Sequence, residues 1–114
     1  MQDKNAIVVI GYSGHAYVVA EILIEQGLNL DFYTDQKELT YNPYGLKYLG
    51  CETDRDFQGW ELDVTYALGI GNNRLREKTA QIVFDHEKSL QKVISINSSI
   101  SKKAHIGNGA VISR

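Results

Sequence analysis

The sequence has a single cysteine, Cys51, so no internal disulfide can close. A lone thiol fits a reducing cytoplasm, which is the compartment expected here. Proline occurs once, at Pro43, so the stretches on either side lack the residue that interrupts helices and central strands. Positive charge is not in excess: 12 Lys and Arg face 14 Asp and Glu, for a net charge of -2 and a pI of about 5.9. That balance argues against nucleic-acid binding through a basic surface. No run approaches the roughly 20 apolar residues that a membrane-spanning helix needs. The apolar run at 6–10 is also too short for the core of a signal peptide, so no membrane partner is expected. A chain of 114 residues suits one compact domain with a short appendage.

What is present follows an α/β pattern. Ala6-Ile-Val-Val-Ile10 is a β-branched run that reads as a strand buried on both faces. Gly11-Tyr-Ser-Gly14 follows as a turn. From Ala16 the apolar residues fall at 16, 19, 20, 23 and 24, which is one face of a helix. Gly27 is placed to end it. A second strand is expected over 28–34, with Asp35 at its carboxyl end. The segment 41–45 reads as a loop, 46–49 as a short strand and 53–57 as one helical turn. A further strand at 64–68 ends in Gly69-Ile-Gly71, and Asn72 or Asn73 can cap the helix that follows. Its apolar face carries Leu75, Thr79, Ile82 and Val83. The order predicts a small Rossmann-like parallel sheet over 1–92.

The last segment has another rhythm. Ile94, Ile100, Ile106 and Ile112 are spaced six apart, each followed by serine or glycine. Ala104 and Ala110 recur two positions before an isoleucine. Hexapeptide repeats of this kind build β-helices. Residues 93–114 are therefore expected to form the first coil of a left-handed β-helix, cut short by the end of the sequence given.

Three places on this pattern can carry chemistry. A glycine-rich turn between a buried strand and a helix makes an anion site, because backbone N–H groups and the helix dipole both favour negative charge. Gly11 permits the turn, Gly14 lets a phosphate approach the backbone, and Ser13 and His15 add donors. The competing reading is that the glycines only allow close strand–helix packing. Asp35 lies 21 residues after Gly14, where a Rossmann-type domain places an acid for a ribose hydroxyl or a base edge. It reads equally as a solvated turn aspartate. Gly71 and Asn72 lie at the end of a strand and the start of a helix, on the same carboxyl edge, where ligands bind in open α/β sheets. Three familiar motifs fail. The dinucleotide fingerprint has Ser13 and Ala16 in place of glycines, the P-loop lacks its Gly-Lys pair, and Gly-x-Ser-x-Gly is broken by His15. His86 and His105 are read as solvated.

Taken together, these residues resemble the sugar O-acyltransferases of the sialic-acid O-acetyltransferase type. That family includes bacterial N-acetyltransferases acting on UDP-4-amino sugars. The resemblance runs through Gly11-Tyr-Ser-Gly-His15, then Phe32-Tyr-Thr-Asp35-Gln36, then Ile70-Gly-Asn-Asn-Arg-Leu-Arg76 and the hexapeptides. Gln36 stands where the family pattern has a second acid. The resemblance implies that Gly11, Ser13, Gly14 and His15 meet the phosphates of a nucleotide-sugar, with a UDP-sugar favoured. Asp35 and Gln36 would lie near the base, with Gly71 and Asn72 on the pocket wall. It also implies acetyl-CoA as co-substrate, no metal, and a homotrimer for the full-length protein. Its catalytic histidine and its acetyl-CoA site fall on later coils, so no catalytic residue is expected in this chain and the fragment is expected to be inactive. Nitrogen and oxygen acylation stay open. Two other readings compete: an NAD-binding oxidoreductase module, and a non-enzymatic nucleotide-binding domain.

Overall fold

The run of β-branched residues becomes strand β1 (Ile7–Ile10), in which all four side chains are buried. Alternation of side chains across a strand divides them between two cores. Ile7 and Val9 face one cluster, and Val8 and Ile10 face the other. The computed structural model that shows this describes residues 6–94 and 111–112.

Helix α1 (Gly14–Glu25) leads from β1 to β2 (Leu30–Thr34). β3 (Lys47–Gly50) follows, then a single 3-10 turn at Gly59–Glu61, β4 (Thr65–Leu68) and helix α2 (Asn73–Asp85). The sheet order is β3-β2-β1-β4, and every pairing in it is parallel. Chain direction therefore switches sides between β1 and β4, since β1 continues to β2 on one flank and β4 is added on the other. After α2 the backbone lies parallel beside β4, with a bridge between Tyr66 and Leu90.

α1 buries Ala16, Val19, Ala20, Ile22 and Leu23 against Ile7, Val9, Tyr33 and Ala67. A helix of 12 residues is marginal alone in water, so this packing holds it rather than its propensity. Each large side chain so buried contributes roughly 1.5–3 kcal/mol. α1 ends in a Schellman motif: Gly27 has φ +76°, its N–H donates to the Ile24 carbonyl at 2.9 Å, and the Leu28 N–H donates to Leu23 at 3.1 Å. That bond holds Leu28 in the helix end, and β2 starts at Leu30 rather than at residue 28. On the opposite face α2 contributes Val83, which packs with Val8, Ile10, Tyr66, Leu68 and Phe57.

The α1 face also carries a tyrosine cluster. The Tyr12 hydroxyl donates to Asn42 Oδ1 at 2.7 Å and accepts from the Tyr44 N–H at 3.0 Å. The Tyr33 hydroxyl accepts from the Leu39 N–H at 2.8 Å. These bonds fold the 36–46 loop onto the sheet and satisfy polar groups that would otherwise be buried unpaired.

One expected element is absent. Residues 53–57 form hydrogen-bonded turns instead of a helical turn, with the Phe57 N–H donating to the Asp54 carbonyl. The reason is Phe57, which turns inward and packs edge-on against Trp60 at 5.1 Å. The helical hydrogen bonds appear later, at Gly59–Glu61. Most of the expected β-helix coil lies outside the described residues. The described part is a two-stranded parallel pair, β5 (Val93–Ile94) with β6 (Val111–Ile112), in the register Val93 to Val111 and Ile94 to Ile112. Val93 itself is buried in the α1 core.

Candidate functional site

Parallel pairing puts the carboxyl ends of β1 and β4 side by side, and each strand feeds a helix. Both helix N-termini therefore open onto one edge of the sheet. Gly11 leaves β1 with φ +86°, a conformation that glycine adopts without strain. Its N–H donates to the Thr34 carbonyl at 2.9 Å, while the Gly69 N–H donates to Ile10 at 2.8 Å. Gly69 has no room for a side chain: a Cβ there would lie 2.5 Å from the Gly11 oxygen and 2.6 Å from Ala16 Cβ. This close approach lets the two turns cross at the edge.

Ser13 is the N-cap of α1, but its hydroxyl makes no capping bond. Nothing lies within 4 Å of a Cβ placed on Gly14. Ser13 and Gly14 are exposed. The Ser13 carbonyl takes the Ala16 N–H at 2.7 Å, and the N–H groups of Gly14 and His15, ahead of it, have no partner within the helix. α2 differs, because Asn72 Oδ1 accepts the Leu75 N–H at 2.9 Å. Asn72 is thus a helix cap, as its position implied. His15 lies between the two N-termini, with its Cγ 3.6 Å from a Cβ placed on Gly71. Its Nε2 is buried without a hydrogen-bond partner among the described residues. Burial, with the nearby Arg76 guanidinium, lowers the His15 imidazole below the usual histidine range. The ring is therefore neutral at pH 7, with one nitrogen unclaimed.

Asp35 is anchored at the end of β2. One carboxylate oxygen accepts the Tyr12 N–H at 3.0 Å and the other accepts the Gln36 N–H at 2.8 Å. Beside it opens a crevice of about 250 Å³ on the α2 side of the sheet edge. Gly11, Asp35 and Gln36 line it, whereas Ser13, Gly14, His15, Gly71 and Asn72 stand outside its wall. The eight sequence-derived residues thus divide into a crevice group and a helix-terminus group along one edge.

The crevice also draws on residues that the sequence reading missed. Cys51, Glu52 and Thr53 follow β3, and Leu75, Lys78, Thr79 and Ile82 come from one face of α2. The rule that ligands sit at the carboxyl ends of strands applies to β3 as it does to β1, and could have found the first three. Glu52 is held in place, since the fully buried Thr34 hydroxyl donates to its Oε1 at 2.8 Å. Ile10, Ile70, Leu75 and Ile82 supply apolar walls. At about 250 Å³ the space falls just below ordinary ligand pockets of roughly 300–1,000 Å³. It suits one portion of an extended ligand. Among the described residues no cluster of His, Cys, Asp and Glu is placed to hold a metal ion.

A four-stranded parallel sheet with a glycine turn feeding an open helix N-terminus, and a crevice where strand order reverses, defines a Rossmann-like α/β domain. The chain belongs to the family described as the PglD N-terminal domain, which matches residues 6–83. Among solved structures it is similar to the acetyltransferase domain of PglB from Neisseria gonorrhoeae in complex with acetyl coenzyme A. The TM-score is 0.76 at 25% identity, over 93% of this chain and 51% of that one. It is likewise similar to a mutant of perosamine N-acetyltransferase from Caulobacter crescentus in complex with CoA and GDP-perosamine. There the TM-score is 0.78 at 29% identity, over 94% of this chain and 50% of that one. PerB from the same organism, with the same two ligands, gives 0.77 at 28% identity, over 94% of this chain and 50% of that one. The chain spans about half the length of these structures. No curated protein matches it.

Proposed function

We propose that this chain is the nucleotide-sugar-binding N-terminal part of an acetyltransferase. The protein it belongs to moves an acetyl group from acetyl-CoA to a sugar amine or hydroxyl in bacterial glycan synthesis. The observation that carries this reading is the shared edge, which holds both the crevice beside Asp35 and the open N-terminus of α1. The crevice takes the nucleoside. The N–H groups of Gly14 and His15, the Ser13 hydroxyl and the helix dipole take the phosphates. The His15 ring stands beside that terminus, against Gly71. Gly71 and Asn72 border the path along which the sugar leaves.

Residues 1–92 form the binding domain in this reading, and 93–114 begin a left-handed β-helix. The register of β5 with β6 supports the second part, because each residue pairs with the one 18 positions on, the length of three hexapeptides. Acetyl-CoA is bound away from the residues described, and the protein assembles as a homotrimer in the cytoplasm. These residues alone carry no transferase activity. The resemblance favours a UDP-sugar, and the solved Caulobacter relatives carry GDP-perosamine. A thermal-shift screen of the chain with UDP-sugars, GDP-sugars, CMP-sugars and NAD tests the proposal. Stabilisation by a nucleotide-sugar is expected, and stabilisation by NAD alone overturns the reading in favour of a dinucleotide module.

A further inference from the structure

We infer that Glu52 reads the base of the bound nucleotide, and that the base it reads is guanine. The inference rests on the nucleotide-sugar reading above and deepens it. Two carboxylates line the crevice, Asp35 and Glu52. Both oxygens of Asp35 already accept backbone N–H groups, from Tyr12 and Gln36. Glu52 accepts only from the Thr34 hydroxyl, through Oε1 at 2.8 Å. Oε2 has no partner among the described residues and Oε1 keeps a second lone pair. Glu52 therefore has more acceptor capacity left than Asp35 and can still accept through both oxygens. Thr34 is buried, so its hydroxyl is a fixed donor that sets the carboxylate plane. Ile10, Ile70, Leu75 and Ile82 give the same space apolar walls that suit a flat ring.

An ionised carboxylate only accepts hydrogen bonds. Guanine presents two adjacent donors, the N1–H and the 2-amino group, which match two carboxylate oxygens. Uracil presents one N–H between two carbonyls, whose oxygens the carboxylate repels. Adenine and cytosine each present an amino group beside a ring acceptor, which is half a match. A bidentate contact of this kind discriminates by about 1–3 kcal/mol, a preference of roughly 5- to 150-fold. Glu52→Gln keeps the shape and an acceptor for Thr34. It replaces one acceptor by a donor, and an amide pairs with the N3–H and O4 of uracil.

The experiment is calorimetric titration of the chain and of E52Q with GDP, IDP and UDP. Expected for the chain is GDP tighter than UDP by at least about 10-fold, with IDP weaker than GDP because it lacks the 2-amino group. E52Q is expected to lose GDP affinity by a similar factor and to gain affinity for UDP. Retained far-UV circular dichroism and thermal midpoint in E52Q establish that it is folded. Equal binding of GDP and UDP, or an equal loss of both in E52Q, overturns the base assignment and leaves the nucleotide reading standing. The second outcome would place Glu52 on the ribose. Failure of all three nucleotides to bind the unmutated chain overturns the parent reading instead.

Discussion

The backbone N–H of Tyr12 donates to a carboxylate oxygen of Asp35 at 3.0 Å, tying the turn after β1 to the end of β2. The second oxygen holds the Gln36 N–H at 2.8 Å. One side chain therefore fixes the helix-terminus group and the crevice group relative to each other. Asp35→Asn replaces one acceptor with an NH2 that faces an N–H. The expected cost is about 1–3 kcal/mol of stability, read as a lower urea midpoint, with weaker nucleotide binding in a titration. Unchanged stability would show that the clamp is not formed.

Gly69 and Gly14 separate packing from binding. Alanine at position 69 would meet the Gly11 oxygen at 2.5 Å and Val9 Cγ2 at 2.9 Å, neither of which can move freely. Gly69→Ala is expected to cost about 3 kcal/mol, the upper end of the usual overpacking range, or to prevent folding. Position 14 is open, so Gly14→Ala is expected to keep stability or raise it by up to about 1 kcal/mol. Its methyl group would stand in the open space through which a phosphate approaches the backbone. Melting curves should show little change and nucleotide titration a loss of at least about 10-fold. Unaltered affinity in G14A would place the phosphates elsewhere.

Tyr66 carries a different liability. Its hydroxyl is buried without a partner among the described residues, and burial pushes its pKa well above the ordinary tyrosine value. A buried, unsatisfied hydroxyl costs about 1–3 kcal/mol. Tyr66→Phe removes it while keeping the ring against Trp60. The expected outcome is a variant at least as stable as the parent, by urea unfolding. A clear destabilisation would mean that the hydroxyl has a partner after all.

How much of this was legible in the sequence depends on the pattern each segment carries. β1, α1, β4 and α2 were legible because burial on two faces, or on one helical face, writes a regular period of apolar residues. Gly11, Gly14 and Asp35 were legible because they punctuate the ends of those elements. Glu52 was not. It follows β3, an edge strand in which exposed Lys47 precedes half-buried Tyr48 and Leu49, so no alternation marks where the strand ends. Lys78 and Thr79 sit one turn beyond Leu75 and read as ordinary helix positions. Only the α2 packing that leaves Leu75 and Ile82 beside the sheet edge makes them crevice residues. The Asp35 clamp was likewise invisible, since it depends on a turn 23 residues away.

His15 gives a pH dependence of definite sign. Its folded pKa lies below the ordinary value of 6.5, chiefly through burial. The unfolded chain then binds the proton more readily than the folded one. Stability is unaffected above the unfolded pKa and falls as pH drops below it. Between about pH 7.5 and about pH 5.5 the thermal midpoint of the parent should fall further than that of His15→Asn. Parallel curves would indicate that the imidazole is not desolvated.

The central claim is that the α1 N-terminus and the crevice form one nucleotide-sugar site. Amide chemical-shift mapping of the isotopically labelled chain, titrated with a GDP-sugar, a UDP-sugar and NAD, tests it most directly. The account predicts that a nucleotide-sugar saturably shifts the amides of Ser13, Gly14 and His15 together with those of Cys51, Glu52 and Thr53, and that NAD does not. Shifts confined to one of the two groups, or produced by NAD alone, would contradict it.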